Sequence, residues 1–67
     1  MVNMPLIQVS MFEGRDENTR ARLVQALTNA AIDALGVAPD RVKIYLHEYD
    51  KSHVASGGEL YSRKATK

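Results

Sequence analysis

The sequence predicts an α/β (α+β) fold, a single β-α-β unit with parallel strands and a short C-terminal hairpin, assembled into an oligomer. Three observations carry that expectation. Two segments alternate apolar and polar residues at the period of a half-buried strand, and the segment between them repeats apolar residues at helical spacing. The chain has 67 residues, and a domain of that size buries only about 60% of the surface that its unfolded form exposes.

The first strand spans Leu6 to Phe12. Ile7, Val9 and Met11 fall on one face and Gln8 and Ser10 on the other, and Gly14 ends the run. Asp16 then offers an N-cap carboxylate. Leu23, Leu27, Ala30, Ala31 and Ala34 follow as an apolar stripe, with Arg20, Arg22, Gln25 and Asn29 among the polar positions. Gly36 suits a left-handed C-cap and Pro39 blocks continuation, so the helix is predicted over Asp16 to Leu35.

Alternation resumes from Arg41 to Tyr49, with Val42, Ile44 and Leu46 on the apolar face and Arg41, Lys43, Tyr45 and His47 on the other. A helix this long between two strands gives a crossover, which makes the strands parallel and the connection right-handed. Gly57-Gly58 marks a tight turn near the end. The expected organisation is therefore an N-terminal extension at 1–4, one domain at 5–62, and a solvated tail at 63–67 that includes Arg63, Lys64 and Lys67.

Two strands under one helix leave open edges and one bare sheet face, which is not stable in water by itself. Domains this small usually recruit disulfides, a metal or other chains. The cysteine count is 0, and the two histidines, His47 and His53, stand at no spacing used by structural zinc. Association with further copies is the remedy left, with Val54, Leu60 and Tyr61 expected to pack against another chain, and Tyr45 and Tyr49 suited to an interface. The net charge of +1 gives no field that would select nucleic acid or membrane as partner. Gln8, Ser10 and Glu13 interrupt the first apolar stretch, so no signal-like segment is seen and a cytoplasmic location is expected.

Four features stand in order at compatible spacing: Pro5 opening the first strand, Glu13-Gly14-Arg15 before the helix, a basic Lys43 in the second strand, and Gly57-Gly58-Glu59 in the closing turn. In this the chain resembles the 4-oxalocrotonate tautomerase family over most of its length. The resemblance implies a homohexamer, a trimer of dimers, and a cofactor-free isomerase that moves a proton within a small enol or dienol carboxylic acid. By that analogy Pro5 is the general base once its nitrogen is a free amino terminus. Arg15 holds a substrate carboxylate, Lys43 stands where the family has a polarising arginine, and Val54 stands where a phenylalanine walls the pocket.

The chemistry behind the analogy is general. An α-amino group titrates near about 7.7 to 8.0, apolar walls and nearby cations push it lower, and a base with a pKa near working pH is an efficient proton shuttle. Arg15 precedes the helix N-terminus, where free backbone N–H groups and the dipole also favour an anion.

Departures from the family pattern bear on the site. Met1, Val2, Asn3 and Met4 precede Pro5, and an acylated proline nitrogen has no usable lone pair. Either Met4 is the true initiator or the chain is a non-catalytic oligomeric member of the fold with Pro5 blocked. Lys43 keeps the charge but loses the guanidinium fork, for which Arg41, two residues earlier, is a candidate replacement; Val54 makes a less apolar wall than phenylalanine. His47 and His53 read as an ordinary strand-face and an ordinary loop histidine, and Glu59 as a cap or a bridge to a neighbouring chain.

Overall fold

The computed structural model describes residues 4–64. The expected extension and tail therefore lie largely outside the described residues. Strand β1 (Leu6–Phe12) leads into helix α1 (Glu17–Leu35), strand β2 (Lys43–Tyr49), and a hairpin of β3 (Ala55–Ser56) and β4 (Glu59–Leu60). Three short 3₁₀ turns, Pro39–Arg41, Lys51–His53 and Tyr61–Arg63, join and close these elements.

Strands β1 and β2 pair in parallel with Leu6 opposite Lys43 and Phe12 opposite Tyr49, as the helical crossover requires. Residues directly opposite in a parallel pair share a face, so the register sorts the sheet. Ile7, Val9 and Met11 line up with Ile44, Leu46 and Glu48, all half-buried under the helix. Leu6, Gln8 and Ser10 lie on the other face with Lys43, Tyr45 and Tyr49, all exposed.

The helix ends are local chemistry. Asp16 keeps extended backbone and its carboxylate accepts the Thr19 N–H at 2.9 Å, while Gly36, left-handed at φ 70°, donates its N–H to Ile32 O at 2.8 Å. The Thr19 bonds hold the Asp16 carboxyl below its ordinary value. The buried side of α1 differs from the predicted stripe. Leu23, Val24, Leu27, Thr28, Ala31 and Ile32 turn inward together with Arg20, whereas Ala30 and Ala34 are exposed. Alanine fits either side of a helix, and here the larger Val24 and Ile32 set the orientation.

Two more expectations are corrected. Arg41 belongs to the turn Pro39–Arg41, because Pro39 sets the first helical position and Val42 N–H closes back on Pro39 O at 3.2 Å; the strand begins at Lys43. Lys64, assigned to the tail, is half-buried over the hairpin. Its ammonium reaches Ser56 O at 3.3 Å and Glu59 at 3.7 Å, and lies 5.4 Å from the Tyr61 ring centre.

The hairpin turns through Gly57-Gly58, with φ of 61° and 82°, a conformation that side chains resist. It folds back on its own chain: the Tyr61 ring packs tilted at 56° against Phe12 with ring centres 5.2 Å apart, and Tyr61 N–H donates to Val54 O at 2.8 Å. Even so, Ala31 is the single buried apolar side chain among the described residues. Met4, Leu6, Leu35, Tyr45 and Tyr49 remain exposed. Among the described residues no helix is long and apolar enough to cross a membrane.

Candidate active site

The candidate residues gather at opposite ends of the β1–β2 pair. At the N-terminal edge Pro5 is half-buried and its carbonyl accepts the Lys43 N–H at 3.0 Å. This backbone bond fixes the proline beside the first residue of β2. Lys43 projects from the exposed sheet face. Arg41 is exposed at the end of the Pro39–Arg41 turn, two residues before Lys43 and outside the strand.

The C-terminal edge holds the rest. After Phe12 the chain reverses through Glu13, Gly14 and Arg15 into the helix cap. Glu13 N–H donates to Tyr49 O at 2.8 Å, extending the ladder by one residue, and Gly14 then takes φ 129°, outside the range of ordinary L side chains. That bend brings the Arg15 guanidinium back on the strand, where Nη1 donates to Phe12 O at 2.8 Å. A guanidinium has five donors, so one anchored N–H leaves a fork free for a carboxylate. Arg20 Nη1 in turn donates to Arg15 O at 2.6 Å and lies 3.6 Å from Glu48 Oε1.

Beside this loop a cleft of about 340 Å³ is lined by Ser10, Met11, Phe12, Tyr49 and Val54. Its volume suits a small organic molecule. Val54, half-buried, thus walls a cleft at the same edge as Arg15.

Immediately before Val54, Asp50 Oδ1 accepts three bonds: Ser52 N–H at 3.0 Å, Ser52 Oγ–H at 2.7 Å and His53 Nδ1 at 2.6 Å. The His53 bond lowers the Asp50 carboxyl below its ordinary value and raises the imidazole above its own, with Glu13 adding to the second effect. Nδ1 therefore carries the proton and Nε2 is left for solvent or a ligand. From the sequence alone His53 is a loop histidine and Arg20 a polar helix position. The signal for the first was an aspartate three residues earlier, in Asp50-Lys51-Ser52-His53. The Arg20–Glu48 pair has no sequence signal, since only the fold brings them together.

Pro5 and Lys43 thus sit together at one end of the strand pair, and Arg15 and Val54 both lie at the other. The seven residues of β1 separate the two groups by about 23 Å at 3.3 Å per residue. A site containing both Pro5 and Arg15 needs two chains packed with opposite edges in contact. Among the described residues no group of three or more His, Asp or Glu side chains is arranged to hold a metal.

Comparison with known proteins bears on this arrangement. The sequence profile of the family described as "Tautomerase enzyme" matches residues 5–64. A curated relative from Bacillus subtilis (strain 168), 2-hydroxymuconate tautomerase, is 30% identical over 88% of this chain and 95% of its own length. A crystal structure of a 4-oxalocrotonate tautomerase homologue superposes with a TM-score of 0.85 at 33% identity, covering 94% of this chain and 100% of that one. A heterohexamer 4-oxalocrotonate tautomerase from Chloroflexus aurantiacus J-10-fl is similar at a TM-score of 0.80 and 32% identity, over 90% of this chain and 97% of that chain.

Proposed function

The chain belongs to the 4-oxalocrotonate tautomerase family, and from that premise we propose that it is a cofactor-free tautomerase acting on a small enol or dienol carboxylic acid, with the Pro5 amine as base once Pro5 is the first residue. The observation that carries this reading is the pinning of Pro5 at the sheet edge beside Lys43 through the 3.0 Å bond, at the residue where the family match begins.

The proposed reaction is a proton relay. The proline nitrogen takes the enol hydroxyl proton, the carbonyl forms as the double bond shifts, and the resulting ammonium returns a proton to the far carbon of the conjugated system. Atoms and charge balance without a redox partner. Lys43, next to Pro5, depresses the amine pKa and meets the developing negative charge on oxygen. Arg15 of a neighbouring chain, its guanidinium anchored on Phe12 O, grips the substrate carboxylate, and Val54 closes the apolar side. Because the two edges of one sheet are so far apart, the reading includes assembly with other copies. The assembly in this proposal is a hexamer, the state named for the Chloroflexus relative being a heterohexamer.

The test is to compare ketonisation of 2-hydroxymuconate, the acid named for the Bacillus subtilis relative, by chains starting at Met1 and at Pro5. The intact mass of the natively expressed protein is measured alongside. The chain starting at Pro5 should be active, acylation at Pro5 should remove the roughly 10²- to 10⁴-fold that a positioned acid-base group contributes, and Pro5→Ala, which keeps a free primary α-amino group at that place, should lower activity by less than acylation does. A folded, assembled chain starting at Pro5 with no activity above buffer refutes the enzyme and leaves a non-catalytic module.

A further inference from the structure

Arg15 is the only cation at its edge that the sequence singled out, yet it stands in an exposed loop of the kind that gives poor geometric control. What holds that loop is a residue from the helix. Arg20, in the second turn of α1, is half-buried, and its Nη1 donates to Arg15 O at 2.6 Å. Its backbone N–H also donates to Asp16 O at 3.1 Å, so Arg20 grips the loop through main chain and side chain alike.

Glu48 sets the direction of that guanidinium. It projects from β2 opposite Met11 toward the helix, with Oε1 at 3.6 Å from Arg20 Nη1. Its other oxygen, Oε2, is buried and makes no hydrogen bond. A carboxylate with one buried, unpartnered oxygen leans on its remaining partner. The side chains are 33% and 24% exposed, so solvent screens this pair less than an ion pair on open surface.

We infer that Arg20, oriented by Glu48, is a positioning residue for Arg15: it holds the Arg15 carbonyl so that the Arg15 guanidinium keeps one edge on Phe12 O and the other toward substrate. The chain of contacts runs from β2 through the helix to the loop and returns to the end of β1. This inference rests on the reading of Arg15 as the carboxylate-binding group. Arg20 itself touches no substrate in it.

A double-mutant cycle tests it, using the full assembled protein starting at Pro5 and steady-state ketonisation of 2-hydroxymuconate. Arg15→Ala should raise KM by about 10- to 100-fold, the worth of a hydrogen-bonded ion contact. Arg20→Ala should raise KM by about tenfold with kcat much less changed, and should add less than about twofold in the Arg15→Ala background, since a residue that acts through another is strongly non-additive with it. Glu48→Gln should raise KM in the same direction by a smaller factor, and Arg20→Lys should recover part of the loss. Melting temperature and sedimentation are followed for every variant. Should Arg20→Ala fail to assemble, the cycle is run with Glu48→Gln and Arg20→Lys, for which the same loss of effect in the Arg15→Ala background is expected. If Arg15→Ala leaves KM unchanged, the functional reading of Arg15 fails. If Arg15→Ala raises KM while the Arg20 and Glu48 variants do not, or their effects simply multiply with it, the positioning inference is overturned and the functional reading stands.

Discussion

Dilution should unfold this protein. Met4, Leu6, Leu35, Tyr45 and Tyr49 all stay exposed in the single chain. With Ala31 the one buried apolar side chain among the described residues, a separated subunit has little to hold it. Folding and assembly are then one equilibrium. Each tenfold dilution should lower stability per chain by about 1 kcal/mol, which for a domain of this size moves the melting temperature by roughly 4 to 8 °C. Thermal melts by circular dichroism over serial tenfold dilutions read the shift, with sedimentation on the same samples. Tyr45→Glu sharpens the assay: Tyr45 is 53% exposed in the single chain, so a charge there costs an isolated subunit little and destabilises only an assembly that covers the open sheet face. A melting temperature that is the same at all concentrations, with folded monomers in the ultracentrifuge, refutes the reasoning.

Two further predictions concern local chemistry. Asp16→Ala removes the acceptor for Thr19 N–H at 2.9 Å and should cost about 1 kcal/mol, seen as a lower melting temperature at fixed protein concentration. His53 should titrate above the ordinary histidine value by NMR because Asp50 bonds to its ring, and Asp50→Asn should bring it back toward that value. The sign follows from the two directions. The raised imidazole strengthens the Lys51–His53 turn below the ordinary histidine value, an effect lost as pH rises through the raised folded value. The lowered Asp50 contributes above the ordinary aspartate value and is lost as pH falls through its folded one. The charged pair thus occupies the window between them.

Where the sequence could be read, steric or hydrogen-bond chemistry confined to neighbouring residues made it readable. Asp16 and Gly36 bracket the helix because cap geometry depends on a few adjacent atoms, and the alternation from Leu6 to Phe12 sorts the two sheet faces because the strand period is two. The parallel register followed from connection length. Periodicity puts Arg41 in the strand because alternation continues into a turn that Pro39 starts, and periodicity cannot see a missing ladder. Periodicity alone puts Ala30 and Ala34 inside because alanine carries no directional weight, and it puts Lys64 in a tail because its three contacts come from residues brought together by the hairpin. Pro5, Arg15, Lys43 and Val54 are candidates through the resemblance of the sequence to a family. Their division between two edges could not be read from the sequence, since order along the chain says nothing about which end of a sheet a residue occupies until the register is known.

That division makes a prediction about mixed assemblies. If Pro5 of one chain completes its site with Arg15 of another, a subunit blocked at Pro5 still offers a working Arg15, and an Arg15→Ala subunit starting at Pro5 still offers a working amine. Each is inactive alone. Dissociated and reassembled together in equal amounts, they should form sites at random, and about one site in four should draw both intact groups, so that activity returns to roughly a quarter of the level of the unmodified protein. A site built within one chain behaves differently, because every subunit in the mixture carries one defect and none is complete. Native mass spectrometry on differently tagged subunits establishes that exchange has taken place. Exchange without recovered activity would mean that the distance of about 23 Å along β1 is bridged by some rearrangement of a single chain, and the case for catalysis between subunits would fall.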